Sequence, residues 1–319
     1  MTSGVTPSRS RADAAPRAKA RRPPRDGRPR IARIAAGVDG FPEGRDAAAL
    51  GNLLASATGA ELMLVAVHEA SLLPTPPTLD YRSLRREAQR TLREVRDSLA
   101  PGARTVTATD ESVPRALHRV IQRHHRDLLV VGSSRVGPDG RIRIGKRTRQ
   151  LLGHFECALA VAPRGMHANP PTGGLRRIGV GFDGGPESEA ALALAASIAI
   201  GAGAELVVQA VVDDRLPTRS WSDVSEVLSG EWDEVVQGGI DEIRERATEE
   251  AERTGARFAV DVARGRPAEA LLALSERVDL MVIGSRRWGP AARLLLGATG
   301  EALMHDAACA VLAVPRQGR

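Results

Sequence analysis

The chain has 319 residues, more than the roughly 100–200 of a typical domain, and this length favours two domains. Hydrophobic residues make up 42% of it but aromatic residues only 3%, so its cores must consist mainly of Ala, Val, Leu and Ile. The net charge of the whole chain is +6, but the first 30 residues carry +7, so the remainder is close to neutral at −1. This argues against a nucleic-acid-binding body. No apolar run approaches the roughly 18 residues of a membrane span.

Residues 1–30 are basic, with nine Lys or Arg side chains against two Asp. This segment is rich in Pro, Ala and Arg and has no hydrophobic period, so it cannot bury enough surface to offset the entropy of ordering. We predict a disordered, solvated tail, and weak contact with an anionic partner stays open. Because no apolar stretch of a signal peptide follows Arg21-Arg22, we expect a cytoplasmic location.

From residue 31 onward, strand and helix patterns alternate. Short apolar runs predict five strands, at 31–38, 62–67, 104–108, 128–131 and 159–161. Apolar residues at steps of three and four, or Ala/Leu-rich composition, predict intervening helices at 46–58, 84–99 and 116–125.

A segment rich in Gly, Pro and Asn at 165–174 predicts a linker between a first module, 31–164, and a second module, 175–319. The second module repeats the order of elements, with a long helix around 232–251 in its middle. Its predicted strands lie at 176–182, 205–212, 257–262, 280–283 and 310–314.

The two modules are copies of one unit. Residues 127–138 match residues 279–290 at an offset of 152, and Gly-Val-Asp39-Gly matches Gly-Phe-Asp183-Gly at an offset of 144. Cys157 and Cys309 stand at equivalent places ahead of apolar runs, which favours buried thiols over a disulfide or a metal pair. A period near 150 residues indicates duplicated domains rather than a solenoid.

Strands separated by helices predict parallel pairing, and continuous apolar strands fit a sheet covered on both faces. We therefore expect an α/β fold of two tandem doubly wound modules, each with a five-stranded parallel sheet. Such sheets bind ligands beyond the carboxyl ends of the strands, where strand order reverses. The turns at Asp39 and Gly132 both follow strands and should meet there.

Each module has a strand ending in Asp-Gly and a later strand ending in Gly-Ser, with a second glycine thirteen residues after the first. In these features the chain resembles the universal stress protein family over nearly all of residues 31–319. The resemblance implies the adenine nucleotide α-hydrolase-like fold. Many family members bind ATP through Gly, two residues, Gly, nine residues, Gly and Ser or Thr, whereas members without that pattern bind no nucleotide.

The resemblance implies nucleotide-binding positions in both modules. In the first module these are Asp39, Val67, Gly132, Ser133, Gly145 and Lys146. In the second module they are Asp183, Val211, Gly284, Ser285, Gly297 and Thr299. Both copies depart from the pattern, because Arg135 and Arg287 replace the middle glycine, and Lys146 and Ala298 replace Ser or Thr.

Glycines let backbone N–H groups approach phosphate oxygens, and a helix that follows the second glycine attracts anions. Arg135 removes the close approach but adds a cation, and Lys146 can act as a point charge. Alternatively, these cations are solvated and both sites are vestigial. If one copy binds a polyphosphate, the more basic first loop favours the first copy, whereas loop geometry favours the second, less clearly, through the hydroxyl of Thr299.

These features predict a non-catalytic, stress-associated regulatory protein that binds ATP with magnesium, or another adenine nucleotide, in at least one module. The alternative is a nucleotide-free scaffold that acts through an unidentified protein partner. An ATP-using enzyme ranks lower, since Gly184-Gly185-Pro186 is not the phosphate loop of such enzymes and no catalytic or metal-binding set is present.

The resemblance also implies how the modules associate. The last strands of family members meet at a dimer interface, so the strands at 159–161 and 310–314 should join the two modules about a pseudo-twofold axis as an intramolecular dimer. Two such chains could still associate as a homodimer. We expect no membrane partner and no specific nucleic acid.

Overall fold

A computed structural model describes residues 30–69, 81–152, 157–213, 225–285 and 294–315. The predicted disordered tail, apart from Arg30, lies outside the described residues. Among the described residues, no helix is both long enough and apolar enough to cross a lipid bilayer.

The first module alternates strands and helices as its sequence predicts. Its elements are β1 (Arg33–Val38), α1 (Pro42–Thr58), β2 (Glu61–Glu69), α2 (Tyr81–Leu99), β3 (Arg104–Asp110), α3 (Val113–His124), β4 (Leu128–Gly132), α4 (Lys146–Leu151) and β5 (Ala158–Ala162). Helix α1 begins four residues before its predicted start, because Pro42 stands in its first turn, where the missing N–H of proline costs nothing.

The second module repeats this order after the connection at 163–176. Its elements are β6 (Arg177–Phe182), α5 (Pro186–Ala202), β7 (Glu205–Val212), α6 (Ser225–Thr254), β8 (Phe258–Arg264), α7 (Pro267–Ser275), β9 (Leu280–Gly284), α8 (Ala298–Asp306) and β10 (Ala310–Val314). The long predicted middle helix is α6, which extends beyond both predicted ends.

All ten strands form one continuous sheet in the order β3-β2-β1-β4-β5-β10-β9-β6-β7-β8. Pairing within each module is parallel, and β5 pairs antiparallel with β10, with Val161 opposite Val311. The strand order reads the same from both ends, which confirms the two pseudo-twofold-related five-stranded modules. The joint between β5 and β10 is the one that the family resemblance implied.

Helices cover both faces of the sheet and produce two cores. Alternate strand residues point to opposite faces, so Leu64 belongs to one core and Met63 to the other. Helices α1, α2, α5 and α6 cover one face, while α3, α4, α7 and α8 cover the other. Because each core runs across the β5–β10 joint, the modules share their interior.

Candidate functional site

A groove of about 470 Å³ opens at the carboxyl ends of β1 and β4, where the strand order of the first module reverses. The turn after β1, the loop after β4 and the first turns of α3 and α4 line it. All six positions predicted in this module lie in its lining, namely Asp39, Val67, Gly132, Ser133, Gly145 and Lys146. The topology therefore brings together residues that are up to 107 positions apart in the chain.

The groove lining combines an apolar set with a charged set. Val65, Val67 and Leu117 are among its apolar side chains. Its charged residues are Asp39, Glu43, Arg135, Lys146 and Arg147. Glu43 lies in the first turn of α1 and also borders the groove, where the residue is 9% exposed.

Asp39 closes the turn between β1 and α1, and its Oδ1 accepts a hydrogen bond of 3.1 Å from the backbone N–H of Phe41. Loss of hydration in the groove raises the pKa of the Asp39 carboxyl above its ordinary value, and the charge of Glu43 adds to this effect. The hydrogen bond from Phe41 and the cations Arg135 and Arg147 act in the opposite direction. Both arginines are therefore close enough to act on this carboxylate.

The structure explains why position 132 is a glycine, which the sequence analysis did not. A Cβ at this position would overlap the carbonyl group of Glu43 in the first turn of α1. In the second module, a Cβ on Gly284 would lie 2.5 Å from the carbonyl oxygen of Glu187. Both strand ends thus need glycine so that a helix can pass close to the sheet, whatever a ligand requires. The signal for this was the same glycine in both copies.

Ser133 holds the loop after β4 in shape. Its Oγ accepts a hydrogen bond of 2.7 Å from the N–H of Arg143 and donates one of 3.1 Å to the Arg143 carbonyl. The N–H of Ser134 also donates to that carbonyl, at 2.6 Å. Although Ser133 lies in the groove lining, its hydroxyl is thus engaged within the protein, which the sequence did not indicate.

The same loop is docked on the second module. The N–H groups of Ile142 and Ile144 donate to the carbonyls of Ala307 and Met304, at 2.8 and 3.0 Å. Gly145 ends the loop and precedes α4, as predicted. However, α4 has only six residues, so the anion attraction expected of its N-terminus is small.

The chain was compared with known protein families, protein sequences and solved structures. The profile of the universal stress protein family matches residues 31–163 and 174–315. The chain belongs to the universal stress protein family. A relative from Mycolicibacterium smegmatis is 28% identical over 209 residues, which cover 64% of this chain and 66% of that protein. A relative from Mycobacterium tuberculosis is 32% identical over 200 residues, covering 60% and 62%.

The chain thus matches slightly less than two thirds of the length of these two relatives. A solved universal stress protein from Archaeoglobus fulgidus superposes with a TM-score of 0.61 at 18% identity, over 89% of this chain and 98% of that one. At this identity, the likeness shows a shared fold.

The second universal stress protein module differs from the first at its corresponding strand ends. A Cβ on Gly181 would lie 2.9 Å from the Leu271 side chain, whereas a Cβ on the equivalent Gly37 would meet nothing nearer than 3.8 Å. The Arg246 guanidinium also covers the turn after β6 and donates to the Gly184 carbonyl at 2.7 Å. Two side chains therefore occupy space that stays open in the first module.

The positions predicted in the second module take their expected places in the fold. Asp183 Oδ1 accepts a hydrogen bond of 2.9 Å from the Gly185 N–H, Val211 lies near the end of β7, and Gly284 ends β9. Ser285 is buried, and its Oγ has no hydrogen-bond partner among the described residues. Gly297 caps α8, and Thr299 is the second residue of that helix. The loop between Ser285 and Gly297 includes residues 286–293, with Arg287, and these lie outside the described residues.

The described parts of the chain were also searched for metal-binding groups and reactive thiols. No group of three His, Cys, Asp or Glu side chains there could hold a metal ion. Cys157 and Cys309 are buried and form no disulfide, and burial strongly raises the pKa of the Cys309 thiol. Because the thiolate is the reactive form, Cys309 is inert, which agrees with its predicted role as a small hydrophobic residue.

Proposed function

We propose that the first module binds an adenine nucleotide, ATP in particular, and that the protein acts without catalysis as a stress-associated regulator. The observation that carries this proposal is the single groove at the strand-order reversal, which gathers all six predicted positions of that module. Ligands of open α/β sheets bind at this place.

The groove suits such a ligand in size and in chemistry. Its volume of about 470 Å³ falls within the roughly 300–1,000 Å³ of small-molecule sites. Val65, Val67 and Leu117 offer an apolar wall for a base, and the Asp39 carboxylate offers an acceptor for ribose hydroxyls. Lys146 and the two groove arginines offer countercharge for phosphates. Magnesium, when bound, would neutralise phosphate oxygens.

The second module is the weaker candidate for this role. Leu271 fills the space beside Gly181, and Arg246 covers the Gly184 turn. Gln209, with 2% exposure, also stands where the first module has Val65, so a buried polar group replaces part of the apolar wall. We therefore assign nucleotide binding to the first module.

A nucleotide-free scaffold is the second candidate function. Its support is Arg135 in place of the middle glycine, together with a loop whose hydrogen bonds are made inside the protein. Such a scaffold would act through a protein partner or a second copy of the chain. In either case two buried cysteines outside any disulfide suit a reducing cytoplasm.

Isothermal titration with ATP and magnesium tests the assignment. A Cβ on Gly145 would come no nearer than 3.7 Å to Ser134, and a Cβ on Gly297 would meet no described atom within 4 Å. A Cβ is therefore accommodated at both equivalent positions, and thermal unfolding of the two valine variants checks that the larger side chain leaves the fold intact. We expect Gly145→Val to weaken ATP binding and Gly297→Val to leave it unchanged. The absence of heat with wild-type protein, or a loss in Gly297→Val alone, would refute the assignment.

A further inference from the structure

Arg135, at the position of the family's middle glycine, is held in place over the groove. Its guanidinium lies 3.3 Å from the centre of the Phe41 ring. Phe41 belongs to the turn after β1, and Arg135 belongs to the loop after β4, so this cation–π contact links the two segments that border the groove. Arg135 and Phe41 are both exposed, so this contact lies at the solvent side of the groove.

Half of the backbone N–H groups of the loop at 133–145 are engaged within the protein. Six of the twelve donate to carbonyl or hydroxyl oxygens of the chain, and two of these six, those of Ser134 and Val136, belong to residues that line the groove. The other four belong to Gly140, Ile142, Arg143 and Ile144. Two of these bonds cross to the second module, and the one from Gly140 reaches the Arg164 carbonyl. A phosphate could recruit these amides only by breaking bonds that hold the loop in shape.

Side-chain cations take the place of amides in the groove. Arg135, Lys146 and Arg147 all line it, and α4 is too short to add a strong dipole. The acids in the lining, Asp39 and Glu43, offset part of this charge. Both arginines act electrostatically on the Asp39 carboxylate, which places their charge beside the turn after β1.

We propose that the first module holds the phosphates of its ligand through the side chains of Arg135, Lys146 and Arg147 instead of a backbone cradle, and that it therefore selects ligands with three or more linked phosphate groups. This inference rests on the proposed function and adds which ligands the groove of the first module selects. A triphosphate carries enough oxygens to contact all three cations, whereas a monophosphate can contact fewer of them. Binding dominated by exposed charges also falls as salt rises.

Titration of wild-type protein with ATP, AMP and inorganic tripolyphosphate, each at low and high KCl, provides the first test. We expect ATP to bind at least about tenfold more tightly than AMP, because at least one additional charge-assisted contact forms. Tripolyphosphate should compete with ATP, and the affinities of both should fall steeply with KCl. Equal affinities for ATP and AMP would overturn the inference while leaving nucleotide binding intact.

Substitutions that restore the family pattern provide the second test. Arg135→Gly and Lys146→Ser reinstate the residues of a backbone cradle, and Arg143→Gln is the control, since Arg143 is exposed on the same loop but outside the groove lining. We expect each restoring substitution to weaken ATP and tripolyphosphate by about tenfold, with less effect on AMP and a shallower salt dependence.

Arg143→Gln should bind all three ligands as the wild type does. ATP binding that is unchanged or tighter in Arg135→Gly and Lys146→Ser would overturn side-chain recognition, although the proposed function would stand. A wild-type protein that binds none of the three ligands, while showing cooperative thermal unfolding, would overturn both the inference and the proposed function.

Discussion

Gly132 ends β4 at the point where the first turn of α1 passes over the sheet. Because a Cβ there would overlap the Glu43 carbonyl, Gly132→Ala must push α1 away from the strand. We expect a loss of about 1–3 kcal/mol in the free energy of unfolding, as for other overpacked interiors. Urea denaturation measures this loss, and Gly145→Ala is the control, since its Cβ has room. Equal stability of the two variants would contradict the packing role.

Asp39 illustrates a residue whose environment disfavours its charge. Since the pKa of its carboxyl is raised in the folded state, the native protein binds a proton more readily than the unfolded chain does. The contribution of Asp39 to the free energy of unfolding is therefore largest below pH 3.8, the ordinary pKa of the group. It is lost as the pH rises through the raised pKa of the folded state. The loss is complete above that pKa, where the carboxyl is ionised.

Asp39→Asn should consequently be more stable than the wild type near neutral pH, because the amide carries no charge to desolvate and its oxygen can still accept the Phe41 hydrogen bond. The difference should shrink as pH falls towards about 4. Urea denaturation of both proteins across this range measures it. A difference that grows on acidification would show that the ionised carboxylate is the favoured form in the fold.

Helices α1 and α5 meet across the module boundary, and their contact depends on one glycine. A Cβ on Gly201 would overlap the Ala57 carbonyl, and the two residues are related by the repeat offset of 144. The pseudo-twofold axis thus brings the last turns of equivalent helices together. Glycine on one side provides the space that this approach needs.

We expect Gly201→Ala to destabilise the protein by about 1 kcal/mol or more, although alanine favours a helix by about 1 kcal/mol over glycine. Gly238→Ala in α6 is the matched control, because its Cβ would meet no described atom within 4 Å. That control should gain about 0.5–1 kcal/mol. Chemical denaturation of both variants separates packing from propensity, and gains of similar size in both would remove the packing argument.

At the scale of the whole molecule, the β5–β10 pair joins two modules into one sheet with shared cores. Leu159, Ala160 and Val161 are buried on β5, opposite Ala313, Leu312 and Val311. Without the second module, this strand would present an apolar edge with unpaired N–H and C=O groups. Such edges recruit other strands.

We expect a protein truncated to residues 30–164 to self-associate through β5, in place of the missing β10. Light scattering after size-exclusion chromatography over a range of concentrations measures the mass. The full chain is the control: its β5 is already paired with β10, so any self-association it shows comes from other surfaces. A truncated module that remains monomeric and folded would show that the joint is not required to satisfy this edge.

Much of the fold could be predicted from the sequence because its signals are local or repeated. Apolar runs and three-to-four-residue periodicity predicted the strands and the long helices. Most boundaries shifted by a few residues, while α6 begins about two turns before its predicted start. The duplicated pattern gave two modules. Since carboxyl ends of parallel strands share one edge, Asp39 and Gly132 could be placed together before their contacts were known.

Other features depend on residues far apart in the chain, and only the tertiary structure decided them. The overlap at Gly132, the stacking of Arg135 on Phe41 and the docking of Ile142 and Ile144 on α8 are contacts between distant segments, and none leaves a local pattern. The same holds for Leu271, which fills the second module's strand end. Sequence by itself determined which elements form and how they repeat, because these follow from short-range hydrophobic patterning. Tertiary structure decided which of two similar modules keeps an open groove, because that depends on how distant side chains fill space.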